Sequence, residues 1–303
     1  MGEDKQKKVT FWDKTSIVCP VCGNAFQKEK LMTGGGRVIA GNVTKELRRL
    51  YKESKKFGYV NPLIYSPVVC PHCWYAVLDA DFTKKKEIKK EEYELLLNAE
   101  EDRVSKITNL FEGMEIDFSQ PRTLESGTAA YILCVMNYSF FNSKMSPTIK
   151  RAICSLRTAW LLGDLEEKYK TGKFGYFQEK FYFKSCQYYN TSLEYSTTGQ
   201  EPLGGIFLGP DNDKNYDFDG LVYIANLLNY QLGPFIEKDP IKLGRKYLKS
   251  KISIAKIFGF GRSSKEKPSQ LLDTARDLYD QLNDEVNRIE QEFDVKLDQL
   301  EEE

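Results

Sequence analysis

Two cysteine pairs constrain this chain more than any other feature: Cys19-Pro20-Val21-Cys22, and Cys70-Pro71-His72-Cys73 after 47 intervening residues. A C-P-x-C unit lets two thiolates converge on one ion, and two such units complete the tetrahedral all-sulfur shell that zinc accepts in closed structural sites. The pattern therefore predicts one structural zinc ion held by Cys19, Cys22, Cys70 and Cys73. The chain between the pairs must leave the ion and return to it as a folded insert. Gly23, directly after Cys22, suits a tight knuckle turn because glycine takes positive φ without a Cβ penalty. His72 is the sole histidine, and with four thiolates available it is expected to face solvent.

Around this site the chain reads as mainly α, in four parts. Residues 1–15 are a charged lead-in, and residues 16–82 are a small zinc-ribbon-like α+β module whose insert carries a helix over 42–54, with Leu47, Leu50 and Tyr51 on one face. Residues 84–258 are a domain of helical hairpins, tetratricopeptide-like, and residues 269–303 are a long amphipathic C-terminal helix. In the helical domain, the charge run at 83–90 opens a solvated helix reaching Leu110, and Leu124–Phe141 is apolar with small residues for close packing. Ser146-Pro147 is a helix start, with serine as N-cap and proline at the first position. The aromatics between Phe174 and Tyr195 recur at helical spacing and read as core. Residues 197–220 read as a solvated loop, since Tyr216 and Val222 stand where a calcium-binding loop needs glycine and glutamate. The GFGRSSK stretch at 259–265 reads as a break. Leu272, Ala275, Tyr279, Leu282, Val286, Ile289, Phe293 and Leu300 then form a heptad seam, which fits either a second chain or the helix's own domain.

Composition decides three points. No stretch approaches the roughly 20 apolar residues of a membrane span, and the first residues are charged where a secretory signal would be apolar. Cytoplasmic localisation is therefore expected, with Cys134, Cys154 and Cys186 as reduced core residues. The zero net charge hides an asymmetry, because residues 1–90 carry 18 lysines and arginines against 9 acids. Such an N-terminal surplus either meets polyanions, or is a solvated lysine-rich surface, or docks on the chain's own acidic remainder.

The cysteine pairs in context (SIVCPVCGNAF and NPLIYSPVVCPHCWYAVLDADF), with LRTAWLLGDLEEKY and YIANLLNYQLG, resemble the uncharacterised bacterial domain-of-unknown-function family 2225 over most of residues 10–290. The resemblance implies a split C-P-x-C zinc site at Cys19, Cys22, Cys70 and Cys73, then a tetratricopeptide-like helical region, and no enzymatic activity. One position departs from the pattern: the second pair usually continues with glycine, and here Trp74 stands in its place.

Catalysis finds little support, since the one histidine lies between two presumed ligands and an all-cysteine zinc has no open position for a substrate water. Two functions remain. The first is a zinc-stabilised adaptor that binds another protein through its helical domain or C-terminal helix, and that helix can also make an oligomer. The alternative is a nucleic-acid binder using the basic N-terminal module, weak and nonspecific because no base-reading motif is present. Loss of the zinc is expected to open residues 16–82 while the helices beyond about residue 84 survive.

Overall fold

A computed structural model describes residues 8–82, 88–258 and 267–298. Chain contacts divide into two compact units, one formed by Met1–Asn42 with Arg49–Gly205, the other by Val43–Arg48 with Ile206–Glu303. The first unit thus groups the cysteine-bearing segment with the helices that follow it, across residues 83–84 where the sequence suggested a boundary.

Strands β1 (Thr10–Val18) and β2 (Ala25–Leu31) pair antiparallel, with Thr10 opposite Leu31 and Val18 opposite Ala25. The lead-in expected through residue 15 therefore becomes strand at Thr10, because Phe11 and Trp12 find partners in Lys30 and Glu29. Next come β3 (Ile39–Val43) and β4 (Arg49–Lys52), which form a two-stranded sheet where a helix over 42–54 was expected. The apparent helical face does not exist: Leu47 is fully buried at a left-handed φ of 59°, whereas Leu50 is exposed. Thr44 accepts the backbone N–H of Arg48 through its hydroxyl, so it closes the turn between these strands and caps no helix. A short 3-10 turn at Pro62–Tyr65 leads to β5 (Pro67–Val69), which pairs antiparallel with β6 (Ala76–Leu78).

Helices α1 (Asp79–Phe82), α2 (Lys90–Asn98) and α3 (Glu100–Leu110) follow. The single helix expected up to Leu110 is broken at Ala99, and the charge run that was to open it lies mostly outside the described residues. Helix α4 (Leu124–Asn137) starts at a capping box between Thr123 and Ser126 and is buried along nearly its whole length. Gly127 sets its packing distance: a Cβ there would lie 2.4 Å from Ile64 Cβ, so only glycine lets α4 rest on the 3-10 turn. Helices α5 (Pro147–Tyr169) and α6 (Lys173–Thr198) form a hairpin over a three-residue connection. Phe174, Phe181 and Tyr189 of α6 are buried, while Tyr176 is exposed.

The start of α5 differs from expectation. Ser146 is left-handed (φ 46°) and its hydroxyl donates to the Pro202 carbonyl, so it cannot cap the helix. Glu201 replaces it from the far side of the hairpin, accepting the Thr148 N–H at 3.0 Å and the Thr148 hydroxyl at 2.6 Å.

In the second unit, α7 (Asp217–Ile236), α8 (Pro240–Ala255) and α9 (Ser269–Phe293) pack together. The loop before α7 is not simply solvated: Leu208 and Asp211 are buried, and Gly209 folds it so tightly that a Cβ would sit 2.1 Å from the Lys214 carbonyl oxygen. Helix α9 buries Leu271, Ala275, Leu278, Leu282, Val286 and Ile289 against its neighbours. Gly244 of α8 admits Ile289 and Leu297, whose carbons would lie 3.1 and 2.7 Å from an added Cβ. The helix ends at left-handed Asp294, and Leu300 of the expected seam lies outside the described residues, as does the whole GFGRSSK stretch. The segment Val43–Arg48 belongs to this unit, where the Tyr223 hydroxyl donates to the Lys45 carbonyl at 2.7 Å.

Candidate metal centre

Each cysteine pair occupies the turn of a hairpin, the first between β1 and β2 and the second between β5 and β6. The two turns repeat one hydrogen-bond pattern. Cys19 N–H donates to Asn24 O (2.9 Å) and Gly23 N–H to Cys19 O (3.0 Å); Cys70 N–H donates to Tyr75 O (2.9 Å) and Trp74 N–H to Cys70 O (3.0 Å). Gly23 (φ 76°) and Trp74 (φ 55°) hold the same left-handed place. The tryptophan therefore adopts the glycine conformation in place of changing the turn, and its indole packs edge-on against Phe118 with ring centroids 5.3 Å apart.

The hairpins bring the four predicted sulfurs together. All lie within 4.8 Å of one another, with Cys19–Cys73 and Cys22–Cys70 each at 3.7 Å. Cys19, Cys70 and Cys73 are buried and Cys22 is half-buried, with the Asn24 amide donating to its sulfur at 3.4 Å. Hydrogen bonding from Cys19 and Cys73 holds the Cys70 thiol well below the usual thiol range, and backbone N–H groups of Cys73 and His72 add to the effect. Such a cluster can hold a metal ion. His72 is exposed and lies outside it, and Cys134, Cys154 and Cys186 are buried elsewhere in helices α4, α5 and α6.

The surroundings of the second hairpin were not foreseen. Arg103 of α3 is fully buried, donating to Cys73 O at 2.9 Å and also to Leu96 O. Burial lowers its pKa. Asn137 of α4 donates to Ala76 O at 2.9 Å. The Tyr138 hydroxyl accepts Leu78 N–H at 3.0 Å and donates to Asp81 at 2.6 Å, and the same carboxylate is bridged by buried Lys150 of α5 at 2.8 Å. The second hairpin is thus tied through its own backbone to α3, α4 and Tyr138, and Asp81 links Tyr138 onward to α5. Arg103 did leave a signal, since it shares a helical stripe with Ile107 and Leu110 where only apolar residues belong.

With this geometry in view, comparison with known proteins settles the family. A family model described as "Uncharacterized protein conserved in bacteria (DUF2225)" matches residues 12–282. The chain belongs to this bacterial family. Among DUF2225 relatives, an uncharacterized protein of Borreliella burgdorferi is 37% identical over 285 residues, covering 93% of this chain and 99% of the relative. No solved structure matches. Among the described residues, no helix is long and apolar enough to cross a membrane.

Proposed function

We propose that the protein is a non-enzymatic, cytoplasmic adaptor in which Cys19, Cys22, Cys70 and Cys73 hold one structural zinc ion and the helical hairpins bind another protein. The sulfur spacing carries the metal reading: zinc–sulfur bonds of about 2.3 Å at tetrahedral angles separate sulfurs by about 3.8 Å, against 3.7 Å for two of the pairs here. Softer ligands favour zinc over magnesium or calcium, and four protein sulfurs leave the ion no position for a reacting water. Zinc in this reading joins two short hairpins, each a sheet of only two strands. The adaptor reading is favoured over nucleic-acid binding because two lysines of the basic segment are already paired with acids, Lys28 with Asp79 and Lys30 with Asp13. A phosphate-tracking stripe is interrupted at both.

Metal analysis of the purified protein should find about one zinc per chain, and Cys70→Ser should release it. Protease should then cut both hairpins, and because Arg103 and Asn137 hold the second hairpin's backbone, protection should also fall in α3 and α4. This differs from the expectation that the helices beyond residue 84 survive untouched. Absence of stoichiometric zinc, or a Cys70→Ser variant with native protease resistance, would reject the metal reading. A protein partner that copurifies in stoichiometric amount after nuclease treatment supports the adaptor; nucleic acid that stays bound near physiological salt rejects it.

A further inference from the structure

A cavity of about 910 Å³ in the first unit is lined by residues 8–12 in unbroken succession. Side chains of a strand alternate between two faces, so the consecutive strand residues Thr10, Phe11 and Trp12 can line one cavity only along the strand's edge, where the backbone polar groups point. The register says which groups these are. Met32 N–H donates to Val9 O, which makes Val9–Met32 a hydrogen-bonded pair; Phe11–Lys30 is the next, and Thr10 and Trp12 occupy the alternate positions. The N–H and C=O groups of Thr10 and Trp12 therefore point away from β2. Strand β1 pairs with β2 alone among the described residues, so that edge carries no third strand.

We propose that the open edge of β1 binds an extended peptide segment as an added strand. Its backbone would pair with Thr10 and Trp12, and alternate side chains would meet the opposite wall, where Phe57, Tyr59 and Tyr65 supply aromatic surface. The lining fits a segment with apolar residues at alternate positions and one basic residue. Asp164 and Glu167 of α5 reach the cavity against one cation on the strand side, Lys8, since Arg122 lies over the Phe118 ring and is faced by Glu29. The inference deepens the adaptor reading and rests on it only for the partner being a protein; the site is built on the β1 edge, with only Asp164 and Glu167 reaching it from α5, so either can fail alone.

The test uses the full zinc-loaded chain against a displayed library of short random peptides, followed by titration of a selected synthetic peptide. Selection should enrich sequences with alternating apolar residues and a lysine or arginine. Methylating alternate backbone nitrogens of the selected peptide, with every side chain kept, should weaken binding by about tenfold or more. Thr10→Pro removes one outward donor and leaves the β1–β2 bonds in place, as proline on an edge strand allows. It should weaken binding similarly with zinc content and circular dichroism unchanged, and Glu167→Gln should reduce the preference for the basic residue. Failure to enrich any peptide would overturn the proposal while leaving a helical-face adaptor standing. So would binding indifferent to N-methylation, or a dimer of this chain that Thr10→Pro dissociates, which would make a second copy the occupant.

Discussion

Trp74 shows what the metal turn demands of a single residue. Its φ of 55° lies where an L side chain costs roughly 1–2 kcal/mol, yet its ring contact with Phe118 returns about 0.5–1.5 kcal/mol beyond the area buried. The two effects separate by substitution. Trp74→Ala loses the ring contact and keeps the strain, whereas Trp74→Gly loses the contact and relieves the strain. Both variants should be less stable than the parent in urea melts at fixed zinc, with glycine the better of the two by about 1 kcal/mol, the reverse of their order inside a helix. Equal stability of the two variants would mean that the turn places no such demand. At this scale the four sulfurs were legible because metal chemistry restricts both residue type and spacing. The partners of Arg103 were not, since the carbonyls it serves, those of Cys73 and Leu96, are 30 and 7 residues away and backbone acceptors leave no mark in a sequence.

Elements were legible where packing and periodicity agreed. Helices α4 to α9 follow from apolar spacing, with α5 running on through Gly163 and α7 through Gly233 and Pro234. The insert misled because Leu47, Leu50 and Tyr51 fall at helical intervals by coincidence, while Leu47 is buried in a turn and Leu50 faces out. The cap of α5 misled for another reason: Ser146 has the right chemistry, but the acceptor that serves Thr148 comes from Glu201, 53 residues further along the chain. Glu201→Ala should leave two buried donors of Thr148 unsatisfied and cost about 2–3 kcal/mol, with faster amide exchange in the first turn of α5 and at the end of α6. Glu201→Gln keeps one acceptor and loses the charge that favours a helix N-terminus, so it should cost less. Equal loss in the two variants would assign the effect to packing.

For the molecule as a whole, the C-terminal helix is the informative part. Its apolar stripe is covered by α7 and α8, and the close approach at Gly244 leaves no room for another helix there. Truncation before Leu271 should uncover leucine, valine and isoleucine side chains together, so the shortened chain should precipitate or lose more helical signal than the removed residues account for. Conversion of an oligomer into a stable, soluble monomer would show instead that the stripe serves a second chain. The tip of the insert between the cysteine pairs has a different consequence. Because residues 43–48 are part of the second unit while the chain on both sides of them is part of the first, the backbone crosses from one unit to the other three times, near residues 42, 48 and 205. No single cut in the chain yields both units whole. A fragment beginning at residue 206 would lack Leu47 and the Lys45 carbonyl that Tyr223 binds, so the second unit is complete only with a piece of the insert that lies between the cysteine pairs.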